Sequence, residues 1–256
     1  MFYRDAAGHY AFSSDFGDFG LATLFENGTS LGQSTFAAGQ WVVSTGPADY
    51  RLQVMTNKGT AGGVQAPNWR MSTRTLTSFE FRSQRPADDD TVAVLPLVIP
   101  SYDLPLDEYN LTPAAPGFEI TVSGAGQRDY DAGRIVSAKV WTSLDDGTTW
   151  VEAPVTSRGA GYVATVDNSS AAGRNVSLRV QLTDEHGAKV TQDVIRAYGV
   201  RRSRAPRRTC GRPATLTGVE TSQGCGDSED ASAGAALDHG RGPARRLWVW
   251  REQPTR

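Results

Sequence analysis

The sequence predicts an all-β protein: two β-sandwich domains of the immunoglobulin/fibronectin-like kind, followed by a disordered tail. Three observations carry this. Apolar residues recur with a period of two, the mark of strands that bury one face. Turn residues interrupt those runs at spacings of roughly a dozen residues, as in a sandwich or barrel. No stretch of useful length has a helical period, and after Val200 the pattern stops.

The first ~90 residues supply the N-terminal unit, residues 1–94, read as truncated at its start. "QWVVS", "YRLQV" and "RMSTRTLTSFEFRS" are its strand candidates, rich in Thr, Val and aromatics. Asn27-Gly28 between apolar runs reads as a hairpin turn. "RPADDDT", with Pro86 and the acids Asp88 to Asp90, reads as a linker or long turn.

Residues 95–200 read as the second sandwich. "VLPLVIPSYDLPLD" carries Pro96, Pro100 and Pro105, and prolines this dense suit an extended edge segment because each removes a ladder donor. "FEITVSG" puts Phe118, Ile120 and Val122 on one side, and "GYVATVD" does the same for Tyr162, Ala164 and Val166. In "RIVSAKVWTS", Val136, Ala138, Val140 and Thr142 alternate with Ile135, Ser137, Lys139 and Trp141. Val176, Leu178, Val180 and Leu182 form the clearest core face. "TDEHGAK" then turns the chain, and a return strand from Val190 to Tyr198 completes a hairpin.

Residues 201–256 hold 11 Arg and 6 acids, whereas residues 1–200 hold 15 basic and 22 acidic residues. That reversal of sign marks a boundary. The tail has few large apolar side chains and is expected to stay unfolded, because it buries too little surface to offset chain entropy. The abrupt change also reads as translation out of frame past a natural end near Tyr198–Val200. Both cysteines, Cys210 and Cys225, lie in this tail. The first 200 residues therefore contain no disulfide and no Cys-based metal site. The start, "MFYRDAAGHYAF", lacks the basic-then-apolar layout of a signal peptide, which predicts a cytoplasmic product or a piece of a longer reading frame. No apolar run approaches the ~20 residues of a membrane span.

One stretch, "SLDDGTTW", raises a question of chemistry. Asp145 and Asp146 are adjacent carboxylates, and acid–base catalysis by two carboxylates needs a cleft and environments that separate their pKa values. Adjacent residues in a turn point apart, and Asp-Gly is a leading turn signal. The segment is therefore read as a structural turn built from Ser143, Asp145, Asp146, Gly147, Thr149 and Trp150, with Gly147 permitting the turn and Trp150 packing beside it. Ser143, Asp145, Gly147, Thr149 and Trp150 also match S-x-D-x-G-x-T-W, so the segment resembles the Asp-box of bacterial neuraminidase repeats. There the box is a structural hairpin that recurs around a propeller. Here it occurs once, and no repeat at a fixed period accompanies it.

Other polar motifs are weaker. "NGTSLG", with Ser30, is superficially like a subtilisin nucleophile motif, but no His stands in the context that a triad demands. Asp184, Glu185 and His186 are three potential ligands that a hairpin turn would splay into solvent, which makes a poor zinc or calcium signal. No cofactor or metal site is predicted. The arginine-rich tail lacks a nucleic-acid-binding motif, so no nucleic acid partner is expected. Sequons start at Asn27, Asn110, Asn168 and Asn175.

Four longer segments, "YRLQVMTNKG…NWRMSTRTLTSFEFRSQRP", "VAVLPLVIPSYDLPLDEYNLTP", "VSAKVWTSLDDGTTWVEAPV" and "NVSLRVQLTDEHGAKVTQDVIRAYGV", together cover much of residues 1–200. This region resembles the non-catalytic C-terminal part of large secreted subtilisin-like (S8 family) serine proteases of actinobacteria. The resemblance implies an extracellular, non-enzymatic accessory region whose partner is the catalytic domain of the same parent chain. No residue here matches that family's catalytic Asp, His or Ser motifs. Two other readings stand beside it. One is a free-standing β-sandwich module that binds extracellular protein, carbohydrate or a cell surface through an aromatic platform drawn from Trp41, Trp69 or Trp141. The other is a glycosidase fragment, suggested by the Asp-box alone.

Overall fold

The computed structural model describes residues 2–4, 10–12, 18–35, 37, 39–58, 70–88, 93–127 and 129–202. Among them the chain is all β, with no helix and three sheets. Strands β1 (Phe2–Arg4) and β2 (Tyr10–Phe12) form a two-stranded ribbon. The N-terminal region adds β3 (Asp18–Glu26), β4 (Thr29–Ser34), β5 (Ala48–Lys58) and β6 (Arg74–Ser83). The C-terminal region supplies β7 (Val98–Asp103), β8 (Leu111–Thr112), β9 (Phe118–Gly126), β10 (Ile135–Ser143) and β11 (Val151–Ala153). It continues with β12 (Val155–Arg158), β13 (Gly161–Val166), β14 (Asn175–Asp184) and β15 (Lys189–Val200). The tail expected from residue 201, with Cys210 and Cys225, falls outside the described residues from 203 onward, as do Asp89, Asp90 and Trp69.

A four-stranded sheet in the order β12-β13-β9-β7 faces part of a nine-stranded sheet in the order β11-β10-β14-β15-β6-β5-β3-β4, to which β8 adds a parallel pairing with β15. The core lies between them. Val98, Tyr102, Ile120 and Val122 from the smaller sheet cluster with Val140, Val180, Leu182 and Val190 from the larger. Period-two burial is the cause: Val176, Leu178, Val180 and Leu182 are each at most 1% exposed. The phenol of Tyr162 crosses between the sheets and donates to the Ile135 carbonyl at 2.9 Å. Phe118 and Tyr198 meet at 5.2 Å between ring centroids. As Pro100 suggests, β7 is an edge strand.

The strands before residue 94 and those after it share one sheet. Strand β6 pairs with β15 from Arg74↔Ile195 to Glu80↔Lys189, so four strands of the first region extend the larger sheet of the second. The expected division at residue 94 lies in the connection between β6 and β7. Asn27 and Gly28 both have positive φ, 49° and 83°, which makes the β3–β4 connection the tight hairpin that Asn-Gly favours.

Two local expectations are corrected. "QWVVS" is not a strand: residues 39–47 form an irregular connection. It makes side-chain bonds in place of ladder pairing: Trp41 Nε1 donates to the Gly32 carbonyl of β4, and Ser44 donates through both N and Oγ to Glu26. In β10 a bulge lies between Ile135 and Ser137, where two steps along β10 oppose one along β14. It turns Val136 outward to 52% exposure and lets Ile135 pack on the core, reversing the expected alternation. Strand β15 ends at Val200, and the residue after it still bonds to the sandwich. Arg201 N donates to Thr112 O, and its guanidinium grips Asp107 at 2.6 Å.

Candidate functional site

The segment between β10 and β11 is a seven-residue loop, and its side chains hold it together. The Ser143 hydroxyl, buried at the end of β10, accepts from the backbone N–H groups of Asp145 and Gly147 and donates to Asp145 Oδ1. Asp145 also accepts from Thr149 N at 2.8 Å and Thr149 Oγ1 at 2.6 Å. These bonds favour the ionised carboxylate, and they hold Asp145 down to about pKa 2, with the Thr149 hydroxyl the largest contributor. A group so acidic is a poor proton donor or acceptor near neutrality.

Asp146 points elsewhere. Its φ of 54° and the 86° of Gly147 turn the loop back over the larger sheet. Arg196 then reaches it with Nε at 2.9 Å and Nη2 at 2.7 Å. A second bulge makes this possible. Val176 pairs with Tyr198 but Leu178 with Val194, so β15 carries two extra residues opposite Ser177. Arg196 sits in that bulge at φ 57° with its N–H on Ser177 Oγ. The paired guanidinium keeps the Asp146 carboxyl below the usual carboxylate range. The two aspartates are thus separated, one tied within the loop and the other to β15.

Trp150 closes the loop and lies beneath Arg179, whose guanidinium carbon is 4.4 Å from the indole centroid. Arg179 is fixed in turn by two bonds to Asp193, at 2.6 and 2.7 Å. All six residues read from the sequence as a structural turn, Ser143, Asp145, Asp146, Gly147, Thr149 and Trp150, are therefore in one assembly. Arg196, Arg179 and Asp193 were missed. Arg179 and Asp193 had a signal: a hairpin centred on residues 185–187 pairs 182 with 190 and hence 179 with 193. Arg196 had none, because the bulge breaks that arithmetic.

The remaining candidates resolve differently. Asp184 is not splayed into solvent; it is 1% exposed. Its Oδ1 accepts from His186 N and Ala188 N, and Oδ2 accepts from Tyr130 at 2.5 Å, so it braces the β14–β15 hairpin. Burial and this carboxylate push the Tyr130 phenol well above its ordinary range. Glu185 pairs with Arg134 instead. No group of three or more His, Cys, Asp or Glu among the described residues is arranged to hold a metal ion. Ser30 Oγ accepts from Gly32 N at 3.3 Å. Trp41 packs against the core and bonds Gly32, whereas Trp141 stands half-buried on the outward face of β10. Of the sequon residues, Asn168 is buried and Asn27 and Asn110 sit exposed in turns. No helix of the described residues is long and apolar enough to cross a membrane.

No family model, curated protein or solved structure matches the chain.

Proposed function

We propose that residues 1–200 are a non-catalytic accessory β region of a secreted subtilisin-like serine protease, acting outside the cell to support or tether a catalytic domain of the same parent chain. The observation that carries this reading is the use made of the Ser143–Trp150 segment. Its hydroxyls and carboxylates are consumed by bonds that hold one loop against one sheet. The resemblance of the four long segments to that protease region supplies the rest of the reading. The DNA upstream of Met1 tests it. An in-frame subtilisin-like catalytic domain is expected there, and the purified chain is expected to leave casein intact. Casein hydrolysis by the chain alone, or a functional promoter directly before Met1, overturns it.

A second reading, a glycan- or cell-surface-binding module, is favoured by one observation. Trp141 is half-buried and faces outward rather than into the core. The Asp-box likeness alone supports a glycosidase fragment.

A further inference from the structure

Asn27 and Gly28 close the β3–β4 hairpin at one edge of the nine-stranded sheet, and the groups that turn an asparagine amide into an acid are assembled there. Both residues are exposed, so water can enter and ammonia can leave. The Gly28 N–H, the nucleophile of that reaction, has no hydrogen-bond partner among the described residues. Its surroundings are open: a Cβ on Gly28 would meet nothing within 4 Å. Asn27 Oδ1 accepts from Asp49 N at 3.1 Å. A backbone N–H so placed steadies the negative charge that gathers on Oδ1 when the side-chain carbonyl carbon is attacked.

The same chemistry is closed elsewhere among the described residues. It needs the backbone nitrogen of the following residue, and that nitrogen is committed. Lys58 N, after Asn57, donates to Thr73 O at 2.8 Å. Leu111 N, after Asn110, donates to Asp107 Oδ1 at 2.7 Å, and Ser169 N, after Asn168, donates to Asp167 Oδ1 at 2.8 Å. Val176, after Asn175, is buried in the β14–β15 ladder. Asp146-Gly147 has the required glycine, but Gly147 N donates to Ser143 Oγ at 2.9 Å. The Asp146 carboxylate is also gripped by Arg196, and an ionised carboxylate resists attack.

We infer that Asn27 is a site of spontaneous deamidation and isoaspartate formation. Gly28 N gives its proton to hydroxide and bonds to Asn27 Cγ. The Cγ–Nδ2 bond breaks, and the departing nitrogen takes a proton from water and leaves as ammonia. Water then opens the cyclic imide at either carbonyl, leaving aspartate or isoaspartate. One water enters, one ammonia leaves, and nothing is oxidised or reduced. Aspartate preserves the main chain and an acceptor for Asp49 N–H. Isoaspartate instead inserts a methylene into the main chain of a tight turn, between the paired residues Glu26 and Thr29. Glu26 also holds Ser44 and Tyr50, so the isoaspartyl product loosens β4 and the 39–47 connection together. This goes beyond the accessory reading and is independent of the protease assignment.

The test ages the full chain at mildly alkaline pH, with and without urea. Peptide mapping by mass spectrometry separates amide, aspartyl and isoaspartyl forms. In the folded chain Asn27 should convert at least about tenfold faster than Asn57, Asn110, Asn168 or Asn175, and faster by the same margin than Asp146 isomerises. In urea, where Ser143 and Arg196 let go, isoaspartate should appear at Asp146 as well. Gly28→Ala should slow conversion of Asn27 at least about tenfold, because its Cβ crowds the attacking nitrogen. Thermal unfolding checks that variant. If its fold is altered, Asn27→Gln, which would have to close a larger ring, should form no acid at residue 27 over the same period. Hydrogen exchange in β4 should quicken in the isoaspartyl fraction and stay slow in Asn27→Asp. An Asn27 that remains an amide, or converts no faster than the other described asparagines, overturns the inference. So does isoaspartate at Asp146 of the folded chain at the rate of Asn27, or unchanged β4 exchange in the isoaspartyl fraction.

Discussion

Arg196 holds Asp146 by two hydrogen bonds across a 50-residue separation, and both residues adopt positive φ to do so. The pair joins the 144–150 loop to β15 at the bulge, and it makes Asp146 a structural residue rather than a spectator in a turn. It is partly exposed, with side-chain exposures of 50% for Asp146 and 32% for Arg196. A double-mutant cycle with Asp146→Asn and Arg196→Ala should give a coupling energy of about 0.5–1 kcal/mol by urea unfolding. A coupling indistinguishable from zero would mean that the bulge holds the loop without the ion pair.

Asp145 makes stability depend on acid. Its folded pKa, about 2, lies below the ordinary 3.8. A depressed acid stabilises the fold above its unfolded pKa, and that contribution is lost as pH falls through the folded value. The urea midpoint should therefore drop between about pH 4 and pH 2, and Asp145→Asn should flatten part of the drop. Asp107, Glu119 and Asp146 are also held low by hydrogen bonds and arginine partners, so some slope should remain in the variant.

Gly147 is required for two reasons that can be separated. Its φ of 86° disfavours any side chain, and a Cβ there would lie 2.9 Å from Ile195 Cδ1 and 3.0 Å from Trp150 Cζ2. Gly147→Val should cost about 3 kcal/mol or more, combining strain with the clash. Gly147→Asn tolerates the backbone better and should cost less, because its penalty is mainly steric. Melting temperatures of the two variants against wild type measure the difference. Equal losses would place the whole cost in the collision.

Asp184→Ala should destabilise the β14–β15 hairpin by about 2–4 kcal/mol, since it strands the buried Ala188 N–H and removes the acceptor of the part-buried His186 N–H and Tyr130 hydroxyl. Asp184→Asn keeps an acceptor and should recover about half of that loss. Hydrogen exchange at Ala188 is the local readout. Protection there should fall sharply in the alanine variant and little in the asparagine one.

Much of this was legible from residue order alone. The period of two in Val176–Leu182 and in Phe118–Val122 required buried strand faces, and the Asn27-Gly28 and Asp184–Gly187 turns required hairpins. What was hidden came from irregularity. A one-residue bulge near Val136 swaps which of Ile135 and Val136 faces inward, a second bulge inserts two residues around Arg196, and no local sequence period announces either. "QWVVS" has the composition of a strand, but its Trp and Ser bond to Gly32 and Glu26 rather than to a neighbouring ladder. The pairing of β6 with β15 joins residues more than 100 positions apart, and strand composition does not choose partners. The site followed the same rule. Bonds within three or four residues, such as Ser143 with Gly147, were visible in the motif, while the distant grip of Arg196 was not.

Strand β15 is hydrogen-bonded on both sides, to β14 and to β6, along Lys189–Val194. A fragment beginning near residue 95 would leave that flank without its partner. The newly bare strand would be a sticky seam, able to recruit the same strand of another molecule. The first region thus serves as a chaperoning cover for the second, and an evolutionary or engineered transplant of the sandwich would have to carry β6 with it.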